Sequence, residues 1–287
     1  MKVWIGSSGT DGPDGLDGGL VEQGEARVSA FDHGLTVGDG VFETCKVVDG
    51  TPFALTRHLD RLATSARGLG LPVPDDQGVR AAVAELLAQP EAARGTGRLR
   101  ITWTGGPSPL GSERGHAGCT LVVAAAAATA WPETADVATV PWTRNEHSAV
   151  AGLKTTSYAD NVVALAHAKA RGASEALFAN TAGMLCEGTG SNVVLALDGE
   201  LVTPTLASGC LAGVTRALVL EWCDVVERDV PMSALAQAEE VFLTSSTRDV
   251  QAVGTVDGRP VEDGKPGPLT RAVAATFAAR SAADVDP

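Results

Sequence analysis

Lysine is scarce in this sequence, and one lysine is oddly placed. The chain holds Lys2, Lys46, Lys154, Lys169 and Lys265 and no others. Lys2 is terminal, Lys169 falls on the polar side of a helical pattern, and Lys265 lies in a Gly/Pro-rich loop, while Lys46 alternates with apolar residues along a strand. Lys154 stands in Ala151-Gly-Leu-Lys-Thr-Thr-Ser-Tyr158-Ala-Asp-Asn161, between an apolar lead-in and a turn of small residues. A lysine at a strand end facing a turn does little for a fold. A neutral amine there is a nucleophile for a carbonyl, and burial favours the neutral form. Lys154 is therefore read as the attachment point of a carbonyl cofactor.

Four further stretches carry chemistry. Cys186-Glu187-Gly-Thr-Gly-Ser-Asn192 puts a carboxylate before a Gly/Ser-rich turn between strands. Ser208-Gly-Cys-Leu-Ala-Gly213-Val214-Thr215-Arg216 opens a helix on glycine, and unpaired N–H groups at a helix start suit a phosphate. Phe242-Leu-Thr-Ser-Ser246-Thr247-Arg248-Asp249 offers hydroxyls after a strand. Arg61 sits one turn into an amphipathic helix. Each has a bland counterpart: a solvated turn, an ordinary helix start, a polar loop, a surface ion pair. Together they supply an amine for an aldehyde, a carboxylate for a ring nitrogen, and a helix end, hydroxyls and an arginine for a phosphate. Pyridoxal 5'-phosphate (PLP) requires this set.

The elements that must position these groups follow from periodicity and turn residues. Val41–Val48 and the run after Asp49-Gly50 read as a hairpin. Thr56 is expected to cap a helix over 57–69, and a second helix runs over 77–87. Strands over 98–103 and 119–127 flank a Gly-rich loop, 105–115, long enough to cover a site. Gly6–Gly19 reads as an insertion in a hairpin, and 128–133 as an interdomain connection. Beyond it, strands over 136–141, 175–179, 191–197, 200–203, 225–227 and 240–244 alternate with helices over 158–171, 214–224, 233–237 and 269–280. In the helix after Tyr158, Val162, Val163, Leu165, Ala166 and Ala170 share one side. The class is α+β in two halves.

Composition removes other functions. At 287 residues and 44% apolar content the chain can bury a large core, and no stretch reaches the roughly 20 apolar residues of a membrane span. The N-terminus has no signal-peptide pattern, which points to a cytoplasmic protein. A net charge of −13 and a pI near 4.8 oppose nucleic acid and anionic membrane as partners. The five cysteines are scattered without a CxxC pair, and the histidines have no metal spacing, so neither disulfides nor a metal is expected.

On these residues the chain resembles the class IV aminotransferases, the fold-type IV PLP enzymes, which include branched-chain aminotransferases, D-amino-acid transaminases and aminodeoxychorismate lyases. The matching segments are Phe31–Thr44 (FDHGLTVGDGVFET), His58-Leu-Asp-Arg61-Leu, Leu153-Lys154, Glu187–Asn192 (EGTGSN), Gly213-Val-Thr-Arg216 and Phe242–Ser246, in the family's order. The resemblance implies a D-amino-acid aminotransferase-like fold with a smaller N-terminal α/β domain (1–127) and a larger, β-barrel-like C-terminal PLP domain (134–287). It also implies a homodimer. Lys154 matches the Schiff-base lysine and Glu187 the partner of the pyridine nitrogen. Arg61, the Val214 backbone N–H, Thr215 and Ser246 match phosphate ligands, and Tyr158 lies near the family's cofactor-contacting tyrosine, though its spacing departs from the pattern. Retention of both Lys154 and Glu187 argues against a non-catalytic binding protein on this fold.

Substrate is less legible. The carboxylate trap of D-amino-acid transaminases, Arg-x-His in the loop, is replaced by Leu110 and Ser112. Arg100 falls where branched-chain enzymes place an arginine, yet Lys154 lacks their following glycine pair. Chain length, the Arg114-Gly115 loop and the Gly-Asp-Gly-Val-Phe-Glu-Thr stretch look most like an aminodeoxychorismate lyase, which would release pyruvate and 4-aminobenzoate. The alternative is an amino-acid transaminase with a 2-oxo acid acceptor, for a branched-chain or other L-amino acid ahead of a D-amino acid. Arg100, Arg114 and Arg248 are the candidates for substrate carboxylates, because arginine offers a bidentate fork. Phe42 and Thr247 complete the expected substrate-binding set.

Overall fold

The computed structural model describes residues 1–9, 15–91 and 95–287. Contacts divide the chain into two compact units. The first comprises Met1–Thr129, Leu153–Tyr158 and Val285–Pro287, and the second Ala130–Gly152 and Ala159–Asp284. The Lys154 segment thus packs with the first unit although it lies within 134–287.

In the first unit the elements are β1 (Lys2–Ser8), β2 (Leu16–Glu22), a short helix α1 (His33–Thr36), β3 (Gly40–Val48), β4 (Thr51–Pro52), α2 (Leu55–Leu69), α3 (Asp76–Leu87), β5 (Thr96–Thr104) and β6 (Thr120–Ala127). Among the described residues the strands form one antiparallel sheet ordered β2-β1-β6-β5-β3-β4. Side chains alternate across a strand. Val41, Cys45 and Val47 of β3 join Leu99, Ile101 and Trp103 of β5 in the core with Leu59 and Leu62 of α2 and Val83 and Leu86 of α3. Phe42 and Thr44, opposite Thr102 and Arg100, point to the other face. Glu43 has the parity of the core side, and it is fully buried.

Several expectations are corrected here. Thr56 does not cap α2. The N-cap is Ala54, in the left-handed region at φ 54° and with no side-chain cap bond. Gly6, Gly18 and Gly19 lie within paired strands rather than in an insertion, and residues 10–14 of that run are outside the described residues. At Gly6 and Gly18 the Trp4 ring occupies the space a Cβ would need.

The second unit contains β7 (Thr134–Arg144), α4 (Ala159–Lys169), β8 (Glu175–Asn180), β9 (Leu185–Gly188), β10 (Asn192–Leu197), β11 (Glu200–Thr203), α5 (Val214–Trp222), β12 (Val226–Glu227), β13 (Glu240–Ser245), β14 (Asp249–Val256), β15 (Arg259–Pro260) and α6 (Pro268–Ala283). Its sheet, among the described residues, runs β12-β11-β10-β13-β14-β7-β8-β9, with β15 paired to β14. The β7–β8 and β14–β7 pairs are parallel and most others antiparallel, which makes the unit α+β as expected. Strands β9 and β14 had no counterpart in the sequence reading, and 233–237 is a 3-10 turn over Met232–Ala236. The inner side of α4 is also different. Asn161, Ala164 and Ala168 are buried, whereas Val162 and Val163 are 65% and 51% exposed.

Candidate active site

In the first unit, Lys154 is fixed by backbone bonds to the start of β3. Its carbonyl accepts from Phe42 N–H at 3.0 Å, Thr156 N–H donates to Gly40 O at 2.7 Å, and its own N–H donates to Ser65 Oγ of α2 at 3.1 Å. The small residues Thr155-Thr156-Ser157 make this possible, since Thr156 and Ser157 hydroxyls both donate to Gly38 O. The Lys154 amine is 3.4 Å from the Tyr158 hydroxyl and 4.4 Å from the centre of the Phe42 ring. Tyr158 packs edge-on against Phe42, and the Arg100 guanidinium lies over the same ring at 3.4 Å. Lys154, Tyr158, Phe42 and Arg100 thus form one cluster.

Arg61 lies in a second cluster, whose centre is Glu43. Arg61 Nε and Nη2 donate to the two Glu43 carboxylate oxygens at 2.8 and 2.7 Å, and His58 Nδ1 is 2.6 Å from Oε2. Burial opposes the charge on Glu43, but the Arg61 guanidinium and His58 overcome it and hold the carboxyl well below its ordinary range. Burial likewise works against the Arg61 cation, and Glu43 more than compensates, raising its pKa. Neither Glu43 nor His58 was singled out in the sequence. The signal was present: a glutamate at core parity between Val41 and Cys45 needs a buried cation, and His58 and Arg61 are spaced i, i+3 on the next helix.

Arg114 has a different job. Its fork grips Asp39 through Nε at 2.7 Å and Nη2 at 2.6 Å, and it donates to the Gly70 and Leu69 carbonyls. It ties the 105–115 loop to the end of α2, and its pKa is raised chiefly by the bond to Asp39.

In the second unit, Glu187 is the next-to-last residue of β9. Its Oε2 accepts from Leu211 N–H at 2.9 Å, and Arg144 Nε approaches Oε1 at 3.1 Å. That approach is an ion pair without hydrogen-bond alignment, since Arg144 Nε is left without a formal acceptor. Arg144 lies over Phe178 at 4.3 Å and donates to Asn161 Oδ1, and Asn161 donates to Thr189 O. Arg144 and Asn161 also escaped the sequence reading.

Leu211 leads into α5 within two residues, so the Glu187 carboxylate and the α5 N-terminus are held at a fixed separation. That helix starts at Gly213 with no side-chain cap. A Cβ on Gly213 would collide with Oδ1 of Asn192, whose side chain is tied to Leu211 O by its Nδ2 and would have to move. Val214 and Thr215 at the helix start are buried. Ser246 and Thr247 follow β13, as expected, at the tip of its hairpin with β14. Arg248 turns away from the tip: it donates to Gln251 Oε1 at 2.5 Å, approaches Glu175 Oε2 at 3.4 Å and covers the Trp131 ring at 3.8 Å. Glu175 in turn accepts from Thr189 N–H, the Thr189 hydroxyl and Ser191 Oγ, which fixes the turn after Glu187.

Among the described residues no cluster of acidic, histidine or cysteine side chains could hold a metal, and no helix is long and apolar enough to cross a membrane. The family model for amino-transferase class IV matches residues 40–256. A Methanocaldococcus jannaschii protein provisionally assigned as a branched-chain-amino-acid aminotransferase is 30% identical over 91% of this chain and 94% of its own length. A D-alanine aminotransferase of Bacillus licheniformis is 30% identical over 90% and 93%. The solved fold IV-transaminase CpuTA1 from Curtobacterium pusillum superposes with a TM-score of 0.83, at 29% identity over 98% of this chain and all of its own. With a model match over most of its length and relatives at this identity, the chain belongs to the class IV aminotransferases and is a PLP-dependent enzyme of the fold-type IV class.

Proposed function

We propose that the protein is an amino-acid transaminase, passing an amino group from an amino acid to a 2-oxo acid. The observation that carries this is the cluster of Lys154, Tyr158, Phe42 and Arg100: one amine for proton transfer with a carboxylate-binding cation over the same aromatic ring. The similar proteins, named for branched-chain amino acids and D-alanine, favour transamination over the aminodeoxychorismate lyase reaction that the loop and chain length suggested.

The residues present fit PLP. The α5 start has no side-chain cap and a glycine whose Cβ position is taken by the Asn192 side chain, so its N–H groups have no side-chain acceptor of the helix's own, which suits a phosphate. When bound, PLP supplies the electron sink that lets an amino acid lose its Cα proton. Lys154 is the amine that holds the cofactor and then moves that proton, a general-base role typically worth ~10²–10⁴-fold. The Tyr158 hydroxyl orients the amine. Glu187 keeps a proton on the ring nitrogen, and Arg144 places a fixed positive charge against that carboxylate. The Val214 N–H, Thr215, Ser246 and Arg61 take the phosphate, with Glu43 and His58 setting the Arg61 fork.

Arg100 is the proposed clamp for the acceptor's carboxylate, with Phe42 as the platform beneath it. Arg114 and Arg248 drop out of that role because Asp39 and the Glu175–Gln251 pair engage them. Thr247 remains as a hydroxyl for substrate on the hairpin tip. Leu110 and Ser112 bring no charge to the loop, which favours an L-amino acid over a D-amino acid as donor. The chain is further proposed to act as a homodimer. Phe31 at 54%, Leu35 at 71% and Leu110 at 71% exposure lie on neighbouring segments joined by the Ser108 N–H to Phe31 O bond, and they support such an interface. The test is steady-state amino transfer from L- and D-amino acids to 2-oxoglutarate, beside release of 4-aminobenzoate from aminodeoxychorismate. Transfer from an L-amino acid is expected, and 4-aminobenzoate release without transfer would overturn the reading.

A further inference from the structure

Helix α2 has an abnormal start. Ala54, its N-cap, is left-handed at φ 54° and fully buried, a conformation unfavourable for a residue with a Cβ. Alanine has no side chain to receive the orphan N–H groups of the first turn. The acceptors come from the last three residues, Val285 to Pro287. Ala54 N–H donates to Val285 O at 2.7 Å, Thr56 N–H to Asp286 Oδ1 at 2.8 Å, Thr56 Oγ1 to Asp286 Oδ2 at 2.6 Å, and Arg57 Nε to Pro287 O at 2.7 Å. Asp286 thus does what a residue at position 54 ordinarily does. Its negative charge also meets the positive end of the helix dipole.

The turn it caps leads directly to the Glu43 cluster. The first helical bond of α2 runs from His58 N–H to Ala54 O, and His58 and Arg61 both grip Glu43. Fraying of residues 54–57 would release His58 first and leave Arg61 on a looser fork. We infer that Asp286 is a positioning residue for the cofactor: as the distant cap of α2, it holds Arg61 in the orientation that receives the PLP phosphate. This rests on Arg61 being a phosphate ligand, as proposed above.

The test compares wild type, Asp286→Ala, Asp286→Asn and Arg61→Lys by two measurements. One is amide hydrogen exchange over residues 55–61 in the apoprotein, and the other is the PLP dissociation constant from absorbance titration. Asp286→Ala is expected to speed exchange in the first turn and to weaken PLP by about fivefold to tenfold, the equivalent of one lost helix cap. Asp286→Asn keeps an acceptor for Thr56 N–H and should recover part of both effects. Should Asp286→Ala not fold, Thr56→Val keeps the Thr56 N–H bond to Asp286 and removes the hydroxyl's two bonds, to Asp286 and from Arg80 Nη2 at 3.0 Å. Arg80→Ala, which removes only the second, is its control; Thr56→Val should move both readouts the same way by less, and further than Arg80→Ala does. Faster exchange with PLP affinity within twofold of wild type would make Asp286 a structural cap only and overturn the inference. Unchanged exchange would overturn it as well. If Arg61→Lys binds PLP as tightly as wild type, the assignment of Arg61 fails first, a result distinct from failure at Asp286 alone.

Discussion

Glu43→Gln is the sharpest perturbation that the structure offers. Glu43 is wholly buried, Arg61 is 12% exposed at its side chain, and three bonds of 2.6 to 2.8 Å join Glu43 to Arg61 and His58. Removing one charge of a buried pair leaves the other uncompensated, which costs about 3–5 kcal/mol. Exchange of the β3 amides from Glu43 to Val47 in the apoprotein reads this unit without requiring the whole chain to unfold in one step. At neutral pH the variant should exchange there about two to four orders of magnitude faster than wild type. Acid supplies a second check. The Glu43 pKa is depressed from its ordinary 4.5 in the folded protein, so its stabilising contribution is complete above that value and is lost as pH falls through the folded one. The gap between wild type and Glu43→Gln should therefore narrow below about pH 4.5. A variant within about 0.5 kcal/mol of wild type at pH 7, or a gap that widens in acid, would refute the claim that this ion pair organises the α2 site.

Other expectations follow from single contacts. Gly213→Ala should lower PLP affinity while the fold survives, because a Cβ meets Asn192 Oδ1 at the α5 start; titration of the apoprotein reads it. Arg144→Gln should reduce kcat with little change in substrate KM, since Arg144 touches Glu187, the proposed partner of the cofactor's ring nitrogen. In the native protein Cys45, Cys119, Cys186 and Cys210 are buried, and burial pushes their thiols up, Cys119 to about 11. A thiol reagent at pH 8 should therefore leave these four unmodified until the protein unfolds, with Cys223 reacting first.

Where pattern carries a physical cause, the sequence is a good guide to the structure. The alternation of β3 and β5 and the turn at Asp49-Gly50 are visible in residue types alone, because a half-buried strand must alternate and a tight hairpin needs positive φ. Lys154 was visible because lysine is rare and this one sits beside a turn. The buried face of α4 was misread because apolar strength pointed to Val162 and Val163. The helix instead lays Ala164 and Ala168 against Ala138, Ala176 and Phe178, where small side chains allow close approach. The cap of α2 could not be found locally, since Asp286 is 230 residues from Thr56. Arg114 looked like a substrate clamp because a fork in a loop has the same letters whether it meets a ligand or Asp39. The lyase and the transaminase share their cofactor ligands, so residues that bind PLP cannot separate them.

The most direct test of transamination is the stoichiometry of a half-reaction. PLP-loaded protein is mixed with an L-amino acid in excess and no 2-oxo acid, and the 2-oxo acid formed is counted per chain. Borohydride added before the amino acid, followed by peptide mapping, locates the cofactor attachment. The expected result is attachment at Lys154 and one 2-oxo acid per bound cofactor, with further turnover only when 2-oxoglutarate is added. Continuous product release without an acceptor, or attachment at a lysine other than Lys154, would contradict it.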